Sequence, residues 1–239
     1  MSLSSAVISV VVDNDVAAAG FKGTWGLSLH VKLIYGSAVR ELLFDVSGDF
    51  SVWYHNARLL RINLQNIDAI VISHWHSDHA GALEEVLDAI GRSVPVYAPS
   101  SYRRWFSGRY DIVECGDGTE ILPEAFTTGT VGYMLAEHAL AIKVSGKGLV
   151  VLVGCGHPGL LNLIRRAMDI ANEDRIYLVM GGFHMSSESE GRKVAEELRS
   201  LGVMYIAPMH CTGSEAKSSM RKIFGDHYIT SGAGKVIKV

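Results

Sequence analysis

Three histidines and an aspartate fall within the segment Ser73-His74-Trp75-His76-Ser77-Asp78-His79-Ala80-Gly81. Neutral imidazole is a common metal ligand, and carboxylate oxygen is a donor of a second kind. On extended backbone alternate side chains point the same way, so His74 and His76 project both rings to one side. Two imidazoles then take adjacent corners of one metal ion. Asp78 and His79 follow where the chain turns into a helix, within reach of a second metal a few ångströms away. A polar turn has no packing reason to hold so many histidines.

The composition frames that motif. The chain has 239 residues, with ten histidines against three cysteines. Cys115, Cys155 and Cys211 form no CxxC pair, so neither a disulfide framework nor a zinc finger is indicated, and a reducing, cytoplasmic setting fits. Hydrophobic residues make up 48% and charged residues 20%, which excludes a disordered chain or a fibre. A net charge of −3 argues against a nucleic-acid partner. No apolar run approaches the roughly 20 residues of a membrane span. The opening MSLSSAVISVVVDND has no basic residue ahead of its apolar run and does not read as a signal peptide. The expected partner is a small-molecule substrate, with a homo-oligomer open, and the length suits one domain over 1–239.

The elements that must position these residues alternate between strand and helix. Strands are expected at 6–12, 27–35, 38–44, 69–72, 95–98, 110–114, 125–130, 139–144, 149–153, 175–180 and 203–207, from β-branched and apolar runs. Helical spacing marks 52–60, 82–90, 159–170, 191–201 and 214–224, and the tail from Tyr228 is β-type. Several strands end in polar residues: Asp45, Ser73, Cys155, His184 and His210. In α/β sheets ligands gather beyond the carboxyl ends of strands.

The pattern HxHxDH resembles that of metallo-β-lactamase-fold hydrolases. Gly26-Leu27-Ser28-Leu29, Leu43-Phe44-Asp45, Gly154-Cys155-Gly156-His157-Pro158-Gly159, Gly181-Gly182-Phe183-His184 and His210-Cys211-Thr212-Gly213 are similar to one branch. That branch contains the dihydropterin–ribofuranosylaminobenzene 5'-phosphate synthases of methanopterin biosynthesis. The resemblance covers roughly residues 8–225. It implies an α/β (α+β) fold, a four-layer αββα sandwich of two mixed sheets. It also implies two divalent metal ions, Zn2+ first, with Mn2+ or Fe as alternatives.

Carried over residue by residue, the resemblance implies His74 and His76 at a first metal, and Asp78, His79 and His210 at a second. Asp78 also holds the attacking water. The superfamily's usual bridging aspartate is missing after the hairpin at 139–153, and His157 is the preferred additional ligand. It sits at the start of a helix, with Pro158 at a first helical position. Two roles stand open for Cys155, a thiolate bridge or a buried small side chain. His138 is either the missing early ligand or a substrate-facing or surface residue. His184 is a ligand or the catalytic general acid. Asp45 orients a ligating imidazole. Trp75 stands where glycine is more usual and would narrow the substrate site. Arg103, Arg104, Lys147 and the helix after Pro158 are candidate anion contacts. His30, His55 and His227 have no such context.

Three functions follow. The first is a metal-dependent hydrolase using a di-metal-bound hydroxide on a small phosphoester or related ester. The second is a pterin-directed synthase. The third is a non-hydrolytic di-iron or binding protein.

Overall fold

β1 (Ser5–Val12), β2 (Ser28–Tyr35) and β3 (Ala38–Phe44) form an antiparallel meander in a computed structural model, which describes residues 2–100 and 110–239. Gly36 at φ 65° turns the β2–β3 hairpin. The pairing then changes from antiparallel to parallel. β4 (Ile67–Val71), β5 (Val96–Ala98) and β6 (Ile112–Glu114) add in parallel, with helices between β3 and β4 and between β4 and β5. With β13 (Val236–Lys238) the first sheet runs β13-β1-β2-β3-β4-β5-β6. The second sheet runs β12-β11-β10-β9-β8-β7. Its members are β7 (Thr119–Leu122), β8 (Ala125–Thr127), β9 (Leu140–Val144), β10 (Gly148–Val153), β11 (Ile176–Gly182) and β12 (Tyr205–Met209).

Burial explains the layering. A core of Leu29, Val31, Leu42 and Phe44 from the first sheet meets Leu140, Ile142, Val150 and Leu152 from the second. The outer face of the second sheet is covered by α4 (Leu160–Ala171), α5 (Glu188–Ser200) and α6 (Ser214–Phe224). On α4 the buried residues are Leu160, Leu163, Ile164, Ala167 and Ala171, the spacing of one helical face. The outer face of the first sheet is covered by α1 (Phe50–Leu59), α2 (Ser77–Ala80) and α3 (Leu83–Ile90). The protein is therefore an αββα sandwich of two mixed sheets. Because β10 is covered on both faces, it reads as the unbroken run GLVVLV, with no polar alternation. Among the described residues no helix is long and apolar enough to cross a membrane.

Most expected elements are present within a few residues. One strand escaped the sequence reading: β7, TEIL, is an edge strand with a single buried residue. Pro158 does not open α4. Gly159, at φ 98°, is its N-cap, and the helix begins at Leu160.

Candidate metal centre

The carboxyl ends of β3, β4, β10, β11 and β12 meet at one edge of the sandwich, and each delivers a polar side chain there. Past β4 the chain reaches His76 in extended conformation (φ −68°, ψ 147°). As the alternation requires, His74 Nε2 and His76 Nδ1 converge to 3.0 Å. Trp75 points the other way. Its Nε1 donates to the Pro99 carbonyl at 3.4 Å and its ring packs against the outer core of the first sheet. It does not narrow the site. The indole that does stand there is Trp25, 62% exposed, with its ring centroid 5.0 Å from that of His210.

Two groups of potential ligands result. In the first, His74, His76 and His157 offer ligand atoms within 4.8 Å of one another. In the second, Asp78, His79 and His210 do the same. His79 Nε2 lies 3.1 Å from His210 Nε2, and His210 Nε2 lies 3.3 Å from Asp78 Oδ2. Cys155 Sγ sits 3.3 Å from His79 Nε2 and also groups with His74, so it lies between the two sets. Cys211 joins Cys155 and His210, and His184 joins Cys155 and His157.

Tautomers are set from behind. Asp45 Oδ2 accepts from His79 Nδ1 at 2.7 Å, which leaves His79 Nε2 facing the site. Asp45 also accepts from Ser73 N at 2.7 Å and Ser73 Oγ at 2.8 Å. His210 Nδ1 meets Asn14 Oδ1 at 3.2 Å, and the Asn14 amide is oriented by donating to His210 O at 3.0 Å. Asp45, His184 and His210 all hold positive φ (57°, 46° and 47°). Such backbone is sparsely populated for non-glycine residues and is retained where the surroundings dictate it.

These residues suit a divalent cation. His157 Nε2 is buried and has no hydrogen-bond partner. Burial, then the neighbouring His79 and His157, push the His74 pKa well below its ordinary value, so that ring is a neutral donor. Burial and His184 bring His157 down to about 4. Burial opposes charge on Asp78, but His210 and His79 outweigh it and keep the carboxylate ionised. On His79 burial is outweighed by the Asp45 carboxylate, and its pKa is raised. Cys155 lowers the pKa of Cys211, and Cys211 together with burial raises that of Cys155.

Some expected residues are not brought in. The His138 ring is fully buried and, among the described residues, belongs to no ligand group, so it is not the early ligand. Burial lowers its pKa to about 4, against a backbone interaction with Ile72. Lys147 lies at the far end of β10 from Gly154, about 20 Å away at strand rise. It stacks over Tyr177 at 5.0 Å, so it makes no anion contact at the site. Arg103 and Arg104 lie outside the described residues. His30 is engaged with Glu41 at 2.8 Å inside the first sheet, and His55 with Gly20 O at 2.9 Å. His227 stacks on Tyr205 at 4.9 Å.

The sequence reading missed Asp13, Asn14, Trp25 and Glu137. Asp13 Oδ1 accepts from His210 N at 2.9 Å across 197 positions of chain. The only local trace of Asp13 and Asn14 is a polar pair closing an apolar strand, as at Asp45.

Three donors point at the two oxygens of Asp45, and an amide can accept on one of them only. Asp45→Asn is therefore expected to lower the stability of metal-free protein by about 1–3 kcal/mol, the cost of an unsatisfied buried donor. Urea unfolding in the presence of a chelator measures it, and an unchanged midpoint would refute this role.

Comparison with known proteins agrees with this fold. A model of the metallo-beta-lactamase superfamily matches residues 36–157, just over half of the chain. A 7,8-dihydropterin-6-methyl-4-(beta-D-ribofuranosyl)-aminobenzene-5'-phosphate synthase of Methanocaldococcus jannaschii is 28% identical, over 89% of each chain. Among solved structures, Tm1679, a metal-dependent hydrolase of the beta-lactamase superfamily, is 27% identical with a TM-score of 0.77, covering 98% of this chain and 99% of that one. The metallo-beta-lactamase fold protein YhfI from Bacillus subtilis is 14% identical with a TM-score of 0.68, covering 99% and 100%, and shares the fold.

Proposed function

Since the chain belongs to the metallo-beta-lactamase superfamily, we propose that it is a metal-dependent hydrolase of a small phosphoester or related ester, working with two divalent metal ions, zinc foremost. One observation carries this reading. Two ligand groups, His74/His76/His157 and Asp78/His79/His210, converge at one sheet edge with Cys155 between them. Imidazole, carboxylate and thiolate together suit zinc.

Divalent metals at such a centre supply an activated water near neutral pH and polarise the electrophile. The chain's own residues do the rest. Asp78, ionised and half-buried, accepts a hydrogen bond from the attacking water and aims it. Asp45 and Asn14 hold His79 and His210 in the tautomers that present Nε2. His184 is exposed, with its ring 4.5 Å from that of His157, and is placed to give a proton to the leaving group. Trp25 walls the open side near His210 and offers a flat apolar face to substrate.

A second reading is a pterin-directed synthase, supported by the 28% identical relative over 89% of both chains. Metals there would serve departure of diphosphate instead of hydrolysis.

The test is elemental analysis of protein purified without added metal, followed by a panel of phosphodiester, phosphomonoester and lactone substrates. Two equivalents of zinc and turnover of one panel member are expected. Inactivity on the whole panel, with product formed from a dihydropterin methyl diphosphate and the aryl ribose phosphate, would replace the hydrolase with the synthase. Bound iron with neither activity would overturn both.

A further inference from the structure

Glu137 is a fully buried carboxylate. A buried charge is costly unless it is paired or hydrogen-bonded. Among the described residues no cation pairs with it. Its partners are three successive backbone amides. Oε1 accepts from Cys155 N and Gly156 N, both at 2.9 Å, and Oε2 accepts from His157 N at 2.9 Å. Consecutive amides turned inward form a concavity that attracts an anion. Here a side chain of the protein itself fills it.

We propose that Glu137 is a positioning residue of the first metal position, acting through His157. Its carboxylate fixes the Cys155-Gly156-His157 turn, and the last of its three bonds falls on the residue whose Nε2 is buried and unpartnered beside His74 and His76. Gly154 leaves room for this arrangement, since a Cβ there would stand 3.2 Å from Glu137 Oε1 and would overlap Ser73 Oγ. The same device recurs at the other ligand-bearing turns. Asp45 accepts from Ser73 N, the residue before His74, and Asp13 accepts from His210 N. Each of these three carboxylates is buried, and each grips backbone directly at or beside a proposed ligand. Glu137 does so without touching the metal position itself.

The inference rests on the two-metal reading above, and cobalt(II) titration of metal-free protein separates the two. If wild-type protein binds no cobalt, the two-metal reading fails. If it binds cobalt, Glu137→Gln decides the inference. Glutamine fills the same space but turns an NH2 group toward one of the three amides. The expected result is a loss of first-position cobalt affinity of about 10–100-fold, the usual effect of removing a group that orients a ligand. In His157→Ala protein the same substitution is expected to cause no further loss, because the ligand through which it acts is gone. Unchanged affinity in Glu137→Gln, or an equal loss with and without His157, would overturn the proposal. Should the glutamine variant fail to fold, Glu137→Asp takes its place. It keeps the charge and shortens the reach, and the same two outcomes apply.

Discussion

His210→Ala protein is expected to lose one of two metal equivalents and to fall at least about a thousandfold in turnover. The reasoning starts from the ring. Its Nε2 faces both His79 Nε2 at 3.1 Å and Asp78 Oδ2 at 3.3 Å, while its Nδ1 is taken by Asn14. Alanine removes one of the three grouped ligands at the second position. Metal catalysis of this kind is worth several kcal/mol of transition-state stabilisation, and each 1.36 kcal/mol is a tenfold change in rate. His74→Ala is expected to act likewise on the first position. His55→Ala removes only a contact with Gly20 O and serves as the control. Elemental analysis after dialysis reads the outcome, and full metal content in both site variants would refute the centre.

Gly181→Ala is expected to be the most damaging single change to the fold, costing more than about 4 kcal/mol and leaving little soluble protein. Gly181 pairs with Val153 across the parallel strands β11 and β10. A Cβ there would overlap the Val153 carbonyl oxygen and stand 2.9 Å from its carbon and 3.1 Å from its nitrogen. These are backbone atoms and cannot swing aside. The φ of 128° is also one that L residues rarely adopt. The strands would have to separate, and they carry Cys155 and His184 into the site. Gly36→Ala, at φ 65° in an open hairpin turn with no atom within 4 Å, isolates the dihedral cost alone, about 1–2 kcal/mol. Urea unfolding of the two variants compares them. Similar midpoints would show that the close approach at Gly181 is unimportant.

The longer helices were legible because one face of each is buried at the helical period, as α4 illustrates with Leu160, Leu163, Ile164 and Ala167, whereas the four-residue α2 is too short to show a period. β7 was not legible, because an edge strand with one buried residue carries almost no period-2 signal. His138 shows a different limit. A histidine before a hairpin reads as a ligand in sequence, yet its ring is buried away from the ligand groups while its neighbour Glu137 grips the turn carrying His157. Trp75 and Trp25 make the same point. The first lies inside the metal motif and turns into the core, and the second lies 50 positions earlier and borders His210.

The short-range chemistry is written in the local sequence. His74 and His76 share a side because strand side chains alternate, and Asp78 and His79 follow them onto the first turn of a helix. Those relations depend only on local backbone geometry. Which distant groups join these residues depends on how the sheets are assembled. His157, His210 and Cys155 arrive because parallel strands place their carboxyl ends at one edge. Asp13, Asp45 and Glu137 matter because burial obliges each of them to bond a nearby polar group, and Asn14 because it lies against His210. Those groups include backbone amides and imidazole nitrogens up to 197 positions away, a separation that no local pattern encodes.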